Sequence, residues 1–176
     1  MLSELIIKNF AIIDDITITF EEGFSVLTGE TGAGKSMIIY AVNLLLGSRA
    51  SADMVRAGCA SAELEACFEI YPESASWQVL EAQQMDPEDG LMVRRVIAAS
   101  GKSRVFINSR AATLELLKKV TADLAGISSQ HAHQGMLKEE NHLDILDDFA
   151  GLNGLKQDVK DKFDILAPLK KEQEQL

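Results

Sequence analysis

Cysteine, proline, long apolar runs and net positive charge are all scarce in this chain of 176 residues, and each shortage excludes something. The two cysteines, Cys59 and Cys67, form neither a CxxC pair nor a zinc-ligand spacing. No disulfide framework is expected, and both read as small buried or half-buried apolar residues of a reducing compartment. The three prolines punctuate the chain: Pro72 ends a β-rich run, Pro87 sits in the turn 86–90, and Pro168 interrupts a helical tail. Apolar residues make up 47% and charged residues 25% of the chain, so it is not a disordered segment, and one compact body is the expected core. Met37 to Leu46, the richest apolar stretch, is too short to cross a bilayer and carries Asn43. The N-terminus reaches Asp14-Asp15 before any secretory apolar region accumulates. A cytoplasmic, soluble protein with no membrane partner is the expectation. A formal net charge of −10 makes the body as a whole repel a polyanion, so nucleic-acid contact requires a local basic patch.

What is present begins with β patterning. Leu5-Ile6-Ile7 with Phe10 reads as a strand, and Ile16, Ile18 and Phe20 alternate with Thr17 and Thr19 as a half-buried second one. After the Glu22-Gly23 turn, Phe24-Ser25-Val26-Leu27-Thr28 reads as a strand buried on both faces at the centre of the sheet. From Lys35 the period changes: Ile38, Ile39, Val42, Leu45 and Leu46 share one helix face until Gly47. Residues 62–70 form a further strand, Ser74 caps a short helix, and 91–98 with 104–108 form a hairpin through Ser100-Gly101-Lys102. Thr113 caps a helix bearing Leu114, Leu117, Val120 and Leu124, and residues 127–130 suit a last short strand. From Gln157 a polar helical tail follows, with a kink or fresh start expected at Pro168.

Between the apolar run and the first helix lies Gly29-Glu30-Thr31-Gly32-Ala33-Gly34-Lys35-Ser36, which fits GxxxxGK[ST]. The glycines allow backbone N–H groups to converge on phosphate oxygens, and the helix that follows points its positive end at the same place. Lys35 would supply a charge to the β- and γ-phosphates and Ser36 would hold Mg²⁺, so ATP with Mg²⁺ is the expected ligand. The pattern arises by chance in a chain of this length on the order of once in a hundred, and the strand–loop–helix setting lowers that further.

The flanking residues resemble the RecN branch of the SMC-like ABC ATPases. Leu5 to Ile13 resembles the family's opening strand, and Thr28 to Ser36 its form of the loop, with Glu30-Thr31 where most SMC relatives carry Pro-Asn. Gly47-Ser48-Arg49-Ala50 with Asp53, Arg56 and Gly58, and Ser103 to Asn108, resemble later blocks. Ser129-Gln130-His131-Ala132-His133-Gln134 resembles the Q-loop, which implies that Gln130 senses Mg²⁺ and the attacking water. For His131 and His133 a metal pair on one strand face, or a solvated loop, are the competing readings. Where relatives often place a basic residue after the opening Asn-Phe, Ala11 stands here.

The resemblance implies an α/β fold of the P-loop NTPase, ABC-ATPase head type. A mixed sheet with an antiparallel β segment would occupy residues 1–150, and a helical tail leading into a coiled coil residues 151–176. No Walker B strand is present, since Leu143-Asp144-Ile145-Leu146-Asp147-Asp148 is broken by Asp144, and no LSGG-like signature occurs. The family implies that both lie in a C-terminal half of the same head, and that ATP is hydrolysed when two heads of a homodimer sandwich it. It also implies a bacterial, nucleoid-associated ATPase acting in recombinational repair of DNA double-strand breaks. By itself this part would bind ATP and barely turn it over. Between Leu91 and Leu114 stand Arg94, Arg95, Lys102, Arg104 and Arg110 without an acid, which reads either as a DNA or head–head contact or as a solvated hairpin face. Two other classes stay open. A nucleotide-dependent dimerisation module without catalysis is one. The other is a P-loop GTPase or kinase, for which Asp123 to Gly126 and Asp148 to Gly151 give DxxG matches but no NKxD follows.

Overall fold

The computed structural model describes residues 1–30, 34–72, 74–125, 143, 146–147 and 150–174. The chain divides into two compact units, Met1–Gly126 and Ile127–Leu176.

The first unit is built on six strands: β1 (Leu2–Phe10), β2 (Ile13–Thr19), β3 (Ser61–Phe68), β4 (Leu91–Ala98), β5 (Ser103–Ile107) and β6 (Arg110–Ala112). Their order in the sheet is β2-β1-β3-β4-β5-β6, and every pairing among the described strands is antiparallel. The hairpin expected at 91–108 is therefore part of one continuous sheet with the opening strands. Side chains alternate as the pleat requires. On β3, Ala62, Leu64, Ala66 and Phe68 are buried, while Ser61, Glu63, Glu65 and Cys67 lie on the more open face.

Helix α1 (Lys35–Leu45) packs on the buried face against β1, β3 and β4. Leu44 and Leu45 meet Leu5, Ile7, Leu64, Val93 and Ile97 in one core, where each fully buried aliphatic side chain contributes roughly 1.5–3 kcal/mol. Helices α2 (Ala75–Ala82) and α3 (Leu114–Thr121) pack on each other. Both start at the expected caps. Ser74 Oγ accepts from Trp77 N at 3.3 Å and Thr113 Oγ1 from Leu116 N at 3.1 Å, each cap worth about 1 kcal/mol. Helix α1 stops as its Gly47 signal implies. Gly47 takes φ +99°, its N–H donates to Leu44 O at 3.1 Å, and Ser48 N–H donates to Asn43 O at 3.0 Å. This is the paired hydrogen bonding of a Schellman turn.

One expectation fails clearly. Residues 24–28 form no strand: Phe24 is 92% exposed, Val26 64% and Leu27 44%. The last ladder bond before them is Phe20 N–H to Ser3 O at 2.8 Å. A buried strand needs a neighbour for its backbone N–H and C=O groups, and no described strand pairs with this segment.

In the second unit α4 (Asn153–Glu174) runs through Pro168 as one helix, so no fresh start occurs there. Its Leu155, Val159, Phe163, Leu166 and Leu169 are exposed at three- and four-residue spacings. Leu143, Leu146 and Asp147 are helical, in keeping with the rejection of that segment as a Walker B strand. The short strand expected at 127–130 lies outside the described residues. Among those that are described, no helix is long and apolar enough to cross a membrane.

Candidate functional site

The glycine loop enters from an exposed segment and ends at the first turn of α1. Gly29 takes φ +154° and Gly34, the residue before the helix, φ +90°. Space is not what demands glycine at position 34: a Cβ there would lie 3.6 Å from Ile12 Cδ1, an ordinary contact. The left-handed backbone does, because side-chain-bearing residues adopt it at a cost. Gly34 contributes no side-chain cap, and the first turn of α1 carries no acidic residue. Among the described residues no acidic or capping side chain meets the positive end of the helix, a place that favours an anion.

Lys35 folds back across this end. Its Nζ donates to the carbonyl oxygens of Gly29 and of Glu30, the latter at 2.8 Å. The ammonium is thus held within the loop beside the uncapped helix start, and Ser36 is exposed in the same turn. A left-handed glycine, a free helix N-terminus, a lysine head and an adjacent hydroxyl fit a polyphosphate with its Mg²⁺, the hydroxyl supplying a hard oxygen ligand. Thr31, Gly32, Ala33 and Gln130 lie outside the described residues, as do His131 and His133. Among the described residues no group of three or more His, Cys, Asp or Glu could hold a metal ion. Clefts of about 270, 280 and 380 Å³ lie along β1 and β3–β6, and of the described loop residues none, from Gly29 and Glu30 to Gly34, Lys35 and Ser36, lines any of the three.

Sequence reasoning passed over Arg56 as an individual residue. The turn joining β1 to β2 bends through left-handed Asn9 (φ +52°) and Ala11 (φ +50°) and sets Ile12 against Gly34. Arg56 ties that turn: its Nη1 donates to Ile12 O at 2.8 Å, its N–H donates to Asn9 O at 2.9 Å, and its Nε lies 3.8 Å from Asp14 Oδ1. The structure thus places a cation beside the turn where Ala11 supplies none. Nothing in local spacing signals a contact between residues so far apart in the chain.

The five cations between Leu91 and Leu114 do not form one patch. Arg94 lies on the open sheet face, 3.5 Å from Glu63 Oε2 and with its guanidinium carbon 5.6 Å from the Phe106 ring centroid. Arg104 shares that face next to it, and Lys102 is exposed in the β4–β5 turn. Arg110 opens β6, opposite the far end of β5 at Ile107, and donates to Gln84 O at 2.8 Å. Arg95 is a correction to the sequence reading. Adjacent strand residues point to opposite faces, so Arg95 turns inward, is 2% exposed, and cannot contact DNA or a second head. Burial pushes its guanidinium below the ordinary value, though arginine stays charged at neutral pH.

Comparison with known proteins agrees with this geometry. A family model described as an AAA domain matches residues 4–176. The chain is 47% identical over 152 residues to the DNA repair protein RecN of Halalkalibacterium halodurans, covering 86% of this chain and 27% of that protein. It therefore spans about a quarter of the length of such relatives. The Smc head domain from Pyrococcus furiosus, with an extended coiled coil and bound to the C-terminal domain of ScpA, superposes with a TM-score of 0.67 at 26% identity, covering 97% of this chain and 47% of that one. A chain from a structural study of ATP-driven dimerization and DNA-stimulated activation of SMC ATPases gives 0.59 at 27% identity, covering 84% and 98%. With its glycine loop at the start of α1 and its antiparallel sheet, this chain belongs to the AAA domain family, and over most of its length it is similar to DNA repair proteins named RecN.

Proposed function

We propose that the chain is the ATP-binding part of a DNA-repair ATPase, holding Mg–ATP at Gly29–Ser36. The observation that carries this reading is the start of α1: an uncapped helix end free of acids, entered through left-handed Gly34 and overhung by the Lys35 ammonium. Lys35 would exchange its two carbonyl partners for β- and γ-phosphate oxygens, and the first-turn N–H groups would donate to the same oxygens. Ser36 would ligate Mg²⁺, and Gln130 would reach the metal and the attacking water. Mg²⁺, when bound, neutralises charge on the phosphates during transfer.

Hydrolysis on this reading needs residues that the chain does not supply, the acidic Walker B strand and the signature motif of a C-terminal half. Two heads sandwiching ATP would then make a homodimer extended by a coiled coil, of which the apolar stripe on α4 is the root. The exposed apolar run Phe24–Leu27 is the segment that this second half would cover. DNA is the proposed partner of the whole protein, with Arg94, Arg104 and Lys102 among the exposed cations of this unit.

Titration calorimetry with Mg–ATP tests the binding reading. Charged hydrogen bonds of about 1.5–3 kcal/mol each, several together, give micromolar affinity after association costs. Lys35→Ala should remove most of it, and wild-type affinity in a folded Lys35→Ala variant would refute the assignment. A second reading, a module that dimerises on nucleotide without catalysis, is favoured by the exposed α4 stripe. It predicts a mass increase with ATP and no phosphate release.

A further inference from the structure

Ser76, Arg95 and Thr121 are the buried polar side chains among the described residues. Two of them close on one feature, the carbonyl end of α1. Arg95 Nη1 donates to Leu44 O at 2.6 Å and also to Ser48 O, and its Nε donates to Ser103 Oγ at 2.9 Å. Thr121 Oγ1 lies 2.8 Å from Leu117 O and 3.3 Å from Leu46 O, sharing its one proton between them. Ser76 Oγ donates to Val120 O at 2.7 Å and so steadies the helix that carries Thr121.

A buried guanidinium is unfavourable unless its N–H groups find acceptors. Here they find helix-end carbonyls, where a positive charge also opposes the negative end of the helix dipole. The anchoring is stronger at this end. The buried residues of α1 are Ala41, Leu44 and Leu45, all in its C-terminal half. Its first turns are half-buried or exposed, with Tyr40 stacked on Phe10 at a centroid distance of 6.3 Å. Met37, Ile38 and Tyr40 pack on the core while only partly buried, so the helix is held most firmly at the end away from the glycine loop and carries that loop on its other end.

We propose that Arg95 is a positioning residue for polyphosphate binding: by clamping the carbonyl end of α1 to β4 and β5 it holds the helix whose first turn forms the anion cradle. The proposal rests on the reading of Gly29–Ser36 as that cradle. The effect is one of position: eleven residues at about 1.5 Å each put the guanidinium about 16 Å from the first turn, too far to touch a ligand bound there. A loosened clamp should therefore act on the phosphates alone and leave base preference untouched.

The test uses the whole chain as Arg95→Met, Arg95→Lys and Ser103→Ala. Affinities for Mg–ATP and for inorganic tripolyphosphate are measured by calorimetry at a temperature where Trp77 fluorescence reports a folded protein. Hydrogen exchange is followed in α1 and β3. Arg95→Met should weaken both ligands together by about five- to tenfold, with faster exchange in α1 and unchanged exchange in β3. Arg95→Lys, which keeps the charge but not the fork of donors, should restore part of the loss. A folded Arg95→Met with wild-type affinities and wild-type exchange in α1 overturns the proposal. Where Arg95→Met does not fold, Ser103→Ala decides: about a twofold loss supports the clamp, and no change in affinity or exchange overturns it. A wild-type chain that binds neither ligand refutes the cradle itself, an outcome distinct from wild-type binding that the variants leave unaltered.

Discussion

Replacing Gly47 by alanine should destabilise the first unit by about 3 kcal/mol, and the structure separates the contributions. At φ +99° an L side chain meets the steric penalty of the left-handed region, about 1–2 kcal/mol. Its Cβ would also stand 2.5 Å from Lys118 Cγ and 3.5 Å from Lys118 Cα. Relieving contact with the root of a side chain anchored in α3 costs about 1–3 kcal/mol. Reduced freedom of the unfolded chain returns about 0.4–1 kcal/mol. Gly101 supplies the control. Its φ is +85° and a Cβ there meets nothing within 4 Å, so Gly101→Ala should cost about 1 kcal/mol or less from backbone strain alone. Urea unfolding followed through Trp77, the single tryptophan, reports on the first unit with both variants at an unchanged m-value. The gap of about 2 kcal/mol between them measures the crowding at the end of α1. Equal stabilities, within about 0.5 kcal/mol, would show that α3 does not press on Gly47 and would refute the packing described.

Two further outcomes follow from burial and charge. Phe24→Ser should change stability by less than about 0.5 kcal/mol because the ring is 92% exposed. A loss of about 3–5 kcal/mol would show instead that the segment is a buried strand. Burial first, and then the carboxylates of Glu4 and Glu65, hold the Cys67 thiol above its ordinary value. The folded state thus favours the neutral thiol, so this contribution is complete below the unfolded-state value and declines as pH rises past about 9. Cys67→Ala should flatten that alkaline fall in the urea midpoint, and a wild-type fall in the variant would remove Cys67 as its source.

Much of the first unit was legible because local signals and tertiary outcome agree. Ile16 and Ile18 alternating with Thr17 and Thr19 placed β2, and Ser74 and Thr113 marked two helix starts through their hydroxyls. Gly47 marked a helix end. The run at 24–28 misled because apolarity signals a demand for burial but cannot say whether a neighbouring strand is there to meet it. Charge counting misled at Arg95, although the signal was present: Leu91, Val93, Arg95 and Ile97 alternate on one strand, so the buried face claims the arginine. The site itself was legible as a motif. The fold-back of Lys35 onto Gly29 and Glu30, and the tie from Arg56 to the turn beside Gly34, depend on tertiary geometry that spacing does not encode.

The most direct measurement is an amide nitrogen–proton correlation spectrum of the chain recorded as Mg–ATP is added. Binding at the start of α1 should give saturable shifts concentrated at the backbone N–H groups of Gly34, Lys35 and Ser36, absent in Lys35→Ala. Shifts elsewhere with those three amides unmoved, or no shifts at millimolar nucleotide from a folded sample, would contradict it.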